Sequence, residues 1–103
     1  MKKIINGRIY DTSKAILIGK ENNGLSHSDF NWWEAGLYKT PVSGKFFLAG
    51  SGGAMTRFSR TISQNEWCGG SKVIPMDQPT ALQWAERYLE PEQIEQHFAV
   101  KEA

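Results

Sequence analysis

Residues 32–53 read WWEAGLYKTPVSGKFFLAGSGG, and this stretch decides the fold. Aromatic and apolar residues dominate positions 32–40, and a second apolar run, KFFLA, occupies positions 45–49. Between them, PVSG at positions 41–44 has the residue types that favour a turn. The stretch therefore predicts a β-hairpin.

Both faces of this hairpin carry apolar side chains. Because side chains alternate along a strand, Trp33 and Leu37 share one face and Tyr38 lies on the other. On the second strand, Phe46 likewise faces away from its neighbour Phe47. An isolated hairpin is only marginally stable in water. We therefore expect a helix to cover one face, and a loop or a partner to cover the other.

Length and composition indicate one globular domain over residues 1–103, with 40% apolar and 12% aromatic residues. No apolar run approaches the roughly 18 residues of a membrane span, so no membrane association is expected. The N-terminal apolar run ends at Asn6, too early for a signal peptide. The single cysteine, Cys68, allows no intrachain disulfide. These features together predict a cytoplasmic protein.

The charge is unevenly distributed along the chain. Residues 1–72 contain ten basic and five acidic residues, a net charge of +5, whereas residues 73–103 have a net charge of −4. A basic part and an acidic part could each meet a partner of opposite charge. The alternative is that both are ordinary solvated surfaces.

The segments before the central hairpin have strand and turn signals. Asn6-Gly7 lies between two short apolar runs and predicts a type I′ turn in an N-terminal hairpin. Residues 15–19 (AILIG) predict a buried strand, and the polar, glycine-containing residues 21–29 predict a loop.

The segments after the central hairpin include helical signals. Ala54, Phe58 and Ile62 recur at intervals of four residues and predict a short helix over residues 54–62. Residues 63–72 predict an irregular loop, and residues 73–75 a short extended segment. A helix is predicted to start after the capping residue Asp77. Its apolar arc comprises Ala81, Leu82, Trp84, Ala85, Tyr88 and Leu89.

A second C-terminal helix is predicted from Pro91, docked by Ile94 and Phe98, which are four residues apart. The predicted fold class is therefore α+β. It consists of an antiparallel sheet of about four or five strands from residues 2–50, the short helix at 54–62, and a C-terminal helix pair packed on one face of the sheet.

Several runs of the sequence also resemble a known group of proteins. They are INGRIYDT (5–12), SDFNWWEAGLYKTP (28–41), GKFFLAGSGGAMTRFS (44–59), CGGSKVIPMDQPTALQWAERYL (68–89) and EPEQIEQHF (90–98). Across nearly the whole chain, they resemble small proteins carried by bacterial integrative elements and phages. Small proteins of such elements often antagonise host defence, and some are anti-CRISPR proteins. The resemblance assigns no role to an individual residue.

Basic and aromatic residues form the candidate partner-binding set, namely Arg57, Arg60, Trp67, Lys72 and Lys45, with Lys2 and Lys3 on the same side. Arginine with aromatic side chains suits phosphate contact and base stacking, and it also suits the centre of a protein interface. The structural alternative is that Trp67 fills the core beneath a long loop. The rival surface is acidic: Glu86, Glu90, Glu92 and Glu95 could mimic phosphates.

No catalytic or metal motif stands out, and no cofactor is predicted. The glycine-rich run 50–53 lacks both P-loop and dinucleotide-loop spacing, so phosphate binding there competes with a strand exit that requires glycine. Cys68 would need His27 or His97 close in space to act as a nucleophile. Asp29 and Glu34 are better explained by an Asx turn and a solvated face than by an acid–base pair.

The sequence therefore favours a non-catalytic protein that binds a macromolecular partner and blocks it sterically. The resemblance implies a CRISPR-Cas effector complex as that partner. The alternatives are a nucleic-acid-binding regulatory protein of the element, and a small hydrolase or transferase that uses Cys68.

Overall fold

The computed structural model describes residues 1–63 and 66–103. It contains eight strands followed by two helices: β1 (Lys2–Ile5), β2 (Arg8–Asp11), β3 (Ile16–Asn22), β4 (Trp33–Lys39), β5 (Phe46–Gly52), β6 (Arg60–Ser63), β7 (Glu66–Cys68), β8 (Gly70–Met76), α1 (Gln78–Tyr88) and α2 (Pro91–His97). The fold class is α+β, which confirms the sequence prediction.

The centre of the fold is a four-stranded antiparallel sheet in the order β3-β4-β5-β8. The predicted hairpin is formed by β4 and β5, with Leu37 opposite Leu48 and Tyr38 opposite Phe47. In its turn, Gly44 adopts a φ of 66°, and the amide of Thr40 donates to the carbonyl oxygen of Lys45 over 2.8 Å. A positive φ of this kind favours glycine.

The helix pair covers one face of this sheet, as predicted. Leu37 and Leu48 are at most 1% exposed and pack in one core with Ala81, Ala85 and Ile94 from the helices. At the end of α2, the Phe98 ring stacks on Phe46 with 4.9 Å between centroids. The helices are therefore held by the apolar arcs that their spacing predicts.

Local hydrogen bonds determine where the two helices begin. Asp77 precedes α1, and its Oδ1 accepts from the Thr80 amide over 2.9 Å. Hydrogen bonds from the side chain and backbone of Thr80 lower the pKa of Asp77. Before α2, the Glu90 amide donates to Oε1 of Gln93 over 3.0 Å. These contacts satisfy amides that have no partner inside a helix.

The N-terminal hairpin covers the other face of the sheet. Asn6 and Gly7 have φ angles of 52° and 75°, which confirms the predicted turn between β1 and β2. Tyr10 projects inward, and its ring meets Phe47 edge to face at 5.3 Å. Tyr38 stacks on the same Phe47 ring, also at 5.3 Å. This hairpin forms a sheet of its own, so the main sheet is completed by β8 and not by strands from residues 2–11.

The prediction of a short helix over residues 54–62 is wrong. Residues 54–59 form turns, in which the Thr56 hydroxyl donates to the Gly53 carbonyl oxygen and accepts from the Phe58 amide. These side-chain bonds compete with helical bonding. Phe58 is 1% exposed but Ile62 is 62% exposed, so the apolar spacing does not form one buried face.

The irregular loop predicted over 63–72 is also largely wrong. Its beginning belongs to a two-stranded hairpin of β6 and β7, in which Thr61 pairs with Trp67, and its end belongs to β8. Residues 64 and 65 of the predicted loop lie outside the described residues. The short extended segment at 73–75 is confirmed as part of β8.

The molecule is longer than it is thick, with extents of 45 × 32 × 21 Å. Its radius of gyration is 14.5 Å, against about 13 Å for a compact chain of this length. Within residues 1–63 and 66–103, no helix is both long and apolar enough to cross a membrane.

Candidate interaction surface

Two irregular segments and a small β-hairpin meet at one end of the main sheet, where β4 begins, β5 ends and β8 begins. We call this region the loop end and define it as residues 23–32, 53–59 and the β6–β7 hairpin with Gly69. The Met55 amide donates to the Phe30 carbonyl oxygen over 2.8 Å, and the Gly53 amide donates to the Trp32 carbonyl oxygen over 2.7 Å. These bonds tie the second segment to the first.

The first segment is folded by its own polar side chains. The Asn23 side chain donates to the Asn31 carbonyl oxygen over 2.7 Å and accepts from the Trp33 amide over 3.2 Å. Asp29 Oδ1 accepts from the Asn31 amide over 2.8 Å, which confirms the Asx-turn interpretation of Asp29. Such bonds replace the backbone pairing that the loop lacks.

The glycine-rich run allows the segments to approach closely. A Cβ atom on Gly53 would lie 2.6 Å from the carbonyl oxygen of Asp29, and one on Gly69 would lie 2.8 Å from that of Gly52. Turns, and not a helix, follow Gly53. The hypothesis of phosphate binding at residues 50–53 required a helix N-terminus after this run, and the described residues 54–59 contain none.

The loop end exposes several large apolar side chains. Phe30 and Met55 are 69% and 70% exposed, and on the β6–β7 hairpin Ile62 and Trp67 are 62% and 54% exposed. The interpretation of Trp67 as a core residue is therefore wrong. Exposed tryptophan and clustered apolar side chains are typical of surfaces that bind partners.

Arginine side chains accompany these apolar groups. Arg57 and Arg60 are both exposed. The Cβ of Arg60 lies 3.5 Å from the position that a Cβ on Gly70 would take. Lys72 lies two residues further along β8 and therefore on the same face as Gly70. Four of the five predicted partner-binding residues, Arg57, Arg60, Trp67 and Lys72, are thus at or next to the loop end.

The remaining lysines of the predicted set lie elsewhere. Lys45 is beside the β4–β5 turn at the opposite end of the sheet, about 16 Å along the strand from the level of Lys72. Lys2 and Lys3 belong to β1, in the hairpin that covers the face opposite the helices. The structure does not bring these residues together with Trp67.

The acidic surface is on the helix pair. All four glutamates of the predicted set are exposed: Glu86 on α1, Glu90 just before α2, and Glu92 and Glu95 on α2. They form a second charged surface that is separate from the loop end in sequence and in secondary structure.

The nucleophile hypothesis receives no geometric support. Cys68 lies on β7 and pairs with Arg60. His27 packs against Trp32 at 4.0 Å between ring centroids, and His97 ends α2. None of these three residues lines the cavities of about 360, 310, 430 and 210 Å³ in the described part of the chain. Among the described residues, no three His, Cys, Asp or Glu side chains gather as metal ligands would.

A cleft between the loop end and α1 was not predicted from the sequence. Its volume is about 310 Å³, and its walls include Trp33, Arg57, Trp84 and Tyr88. The sequence predicts Arg57 as a binding residue, but it places Trp33 only on one face of a strand, and Trp84 and Tyr88 on the apolar face of α1. No local signal distinguishes an aromatic residue that lines a cleft from one that fills the core, because both have the same spacing.

The chain was compared with models of protein families, with characterised proteins and with solved structures, and none of them matches it significantly.

Proposed function

We propose that this protein is a non-catalytic inhibitor that binds another macromolecule through the loop end and blocks it sterically. The single observation that carries the proposal is the β6–β7 hairpin, which exposes Trp67 and Ile62 next to the arginines of the loop end. All four residues of β6 are exposed. A two-stranded hairpin of this kind is marginal alone, and contact with a partner would bury its apolar groups.

The composition of the loop end suits the centre of a protein interface. Binding energy is concentrated in a few residues, and tryptophan and arginine are enriched among them. Trp67 pairs with Thr61 and Arg60 pairs with Cys68, so the tryptophan and the arginine lie on opposite faces of one narrow hairpin. Such a projecting hairpin can enter a groove on a partner.

The proposed biological setting follows from the resemblance to proteins of bacterial integrative elements and phages. In that setting the partner is a CRISPR-Cas effector complex in the bacterial cytoplasm, and the protein occludes its guide- or DNA-binding surface. The exposed glutamates of α1 and α2 would support such binding if they face a basic nucleic-acid channel.

A second candidate function is nucleic-acid binding by the loop end. The observation that favours it is the proximity of Arg60 and Lys72 on one face, with Trp67 available for base stacking. The two functions differ in their dependence on salt, since contacts to nucleic-acid phosphates release counterions.

The first experiment measures binding of the Trp67→Ala variant to a purified effector complex by calorimetry. We expect a loss of about 30-fold or more, corresponding to about 2 kcal/mol for an interface tryptophan. The matched control is Val42→Ala, which truncates a 97% exposed side chain at the opposite end of the sheet. Equal binding by both variants, with unchanged circular dichroism, would reject the loop end as the docking surface.

The second experiment separates protein binding from nucleic-acid binding. Retention of single- and double-stranded DNA is measured between 50 and 200 mM salt, for the unmodified protein and for a double variant with Arg57→Ala and Arg60→Ala. Affinity that falls linearly on logarithmic axes and is lost in the variant supports the second candidate. Absence of DNA binding at 50 mM salt rejects it.

A further inference from the structure

The cleft between the loop end and α1 combines a suitable size with aromatic walls. Its volume of about 310 Å³ is at the lower end of the range for small-molecule sites. It lies on the helix face of the sheet, where Leu48 forms part of its wall. The loop end supplies Met55 and Thr56, and α1 supplies Trp84 and Tyr88.

The aromatic side chains form a corner inside this cleft. The Trp33 and Tyr88 rings meet at 5.1 Å and 74°, and the Trp84 and Tyr88 rings at 5.0 Å and 49°. Trp84 is 8% exposed, whereas Trp33 and Tyr88 are only partly buried. Both residues line the cleft with part of their surface exposed, where a flat ligand can meet an aromatic group by stacking or edge-to-face contact.

The charged side chains that line the cleft and its neighbouring cavity are arginines. A neighbouring cavity of about 210 Å³ shares Arg57, Trp84 and Tyr88 with the cleft and adds Arg87. The Arg87 guanidinium lies 5.4 Å from the centre of the Tyr88 ring. No acidic side chain of the described residues lines either cavity. Two guanidinium groups without a carboxylate favour an anionic ligand, and arginine is well suited to phosphate.

Polar side chains also line the cleft. Asn31 lines the cleft, and a carboxamide can donate to and accept from the edge of a base. The nearby Asn23 is held in place by its bonds to Asn31 and Trp33. The residues that surround the cleft thus offer stacking, edge recognition and phosphate contact within one small volume.

From this combination we infer that the cleft binds a nucleotide unit, with the base against Trp33 and Tyr88 and the phosphate between Arg57 and Arg87. The same chemistry is presented by a free nucleotide and by one nucleotide of a single strand. The site is distinct from the β6–β7 hairpin proposed for docking, since no residue of β6 or β7 lines the cleft, although Arg57 and other residues of the loop end do.

The test uses the four tryptophans as position-specific reporters. Adenosine 5′-monophosphate is titrated into the ¹⁵N-labelled protein, and the four indole N–H signals are followed. We expect the Trp33 signal to move strongly. The signals of Trp32 and Trp67, which do not line the cleft, should remain in place. Single Trp→Phe variants at positions 32, 33 and 67 assign these three signals, and the remaining signal belongs to Trp84.

Two control ligands test phosphate contact and base stacking separately. Adenosine lacks the phosphate and should bind about tenfold more weakly, as expected for the loss of a charge-assisted contact. Ribose 5-phosphate lacks the base and should leave the Trp33 signal in place. Equal affinity for adenosine and the nucleotide would overturn the phosphate assignment, and equal shifts with ribose 5-phosphate would overturn the stacking assignment.

Variants test the two arginines. Arg57→Gln and Arg87→Gln should each weaken nucleotide binding, Arg57→Gln by about tenfold. The matched control is Arg8→Gln, which removes an exposed arginine from the N-terminal hairpin. Nucleotide affinity equal to that of the unmodified protein in both cleft variants overturns the proposal.

Two further arms identify the source of the ligand and separate this site from the docking surface. If a ten-residue oligoadenylate binds more tightly than the mononucleotide and causes the same Trp33 shift, the ligand is a single strand. If the mononucleotide binds more tightly, the ligand is a free nucleotide. No Trp33 shift with either ligand at millimolar concentration overturns the proposal. Trp67→Ala should weaken docking but preserve nucleotide binding, whereas Arg87→Gln should weaken nucleotide binding but preserve docking, so each proposal can fail alone.

Discussion

Replacement of Tyr10 by alanine is expected to detach the N-terminal hairpin from the sheet. Tyr10 is 7% exposed, and its ring meets that of Phe47, which is fully buried. The partly buried Ile5 and Ala15 pack around the same cluster. Among the described residues of β1 and β2, Tyr10 is the only one that is buried, so its ring is the main anchor of the hairpin on the sheet.

The expected cost follows from the contacts that are lost. Burial of one large side chain contributes about 1.5–3 kcal/mol, and the aromatic pair adds about 0.5–1.5 kcal/mol. Tyr10 lines a surface cavity of about 430 Å³, so its removal leaves an open depression and not a closed void. The additional cavity term of core truncations should therefore be small. The free energy of unfolding should fall by about 2–4 kcal/mol.

Urea and thermal unfolding measure this loss, and a drop of about 10 °C or more in Tm is expected. The matched control is Ile9→Ala in the same hairpin, because Ile9 is 58% exposed on its outer face. That change should cost no more than about 0.5 kcal/mol. Amide hydrogen exchange should accelerate in β1 and β2 of the Tyr10 variant. Equal losses in the two variants would refute the assignment of the hairpin as the cover of this face.

Three other changes test the helices and the loop end. Hydrogen bonds from Thr80 lower the pKa of Asp77, so they stabilise the fold above the ordinary pKa of aspartate, and this stabilisation is lost as pH falls through the lowered pKa. When the urea midpoint is measured between pH 6 and pH 3, the Asp77→Ala variant should therefore show a smaller loss of stability toward acid than the unmodified protein. Gly53→Ala should cost about 1–3 kcal/mol in thermal unfolding because its methyl group would meet the Asp29 carbonyl oxygen, and an unchanged Tm would contradict that packing. Phe98→Ala removes the ring stacked on Phe46 and should lower the free energy of unfolding in urea by about 3 kcal/mol. In this variant α2 should lose hydrogen-exchange protection before α1, and simultaneous loss in both helices would argue against separate docking of the two helices.

The parts of the fold that were predicted correctly have local physical causes. The turn at Asn6-Gly7 requires positive φ at two consecutive residues, which few other sequences tolerate. Asp77 marks the start of α1 because its carboxylate accepts from an amide three residues later. The alternation of β4 and β5 predicts two apolar faces, and each face packs against a core cluster.

The failures lie where tertiary contacts outweigh local periodicity. Ala54, Phe58 and Ile62 have helical spacing, yet the chain turns at Thr56 and pairs as a strand from Arg60. Pairing between β5 and β8 joins segments that are separated by the whole β6–β7 hairpin. Local sequence contains no information on such a distant partner, because the gain comes only after the loop has closed.

The candidate surfaces also combine residues that the sequence identifies with an arrangement that only the fold determines. Composition identified Arg57, Arg60, Trp67 and Lys72 as a set, and the structure places them at or beside one end of the sheet. It separates Lys45 from them by most of the length of β5. The aromatic cleft joins β4, the loop end and α1, so no short motif could reveal it.

The sequence by itself determined the class of the fold, the central hairpin and the helix boundary at Asp77, because φ preferences, side-chain alternation and capping act over a few residues. Only the tertiary structure decided that β8 completes the sheet, that the N-terminal hairpin covers its second face, and that Trp67 is exposed, unlike Trp84 on the predicted apolar face of α1. These outcomes depend on which distant surfaces bury apolar area together. A tryptophan has the same intrinsic tendency to be buried at either position, so the neighbours supplied by the folded chain make the difference.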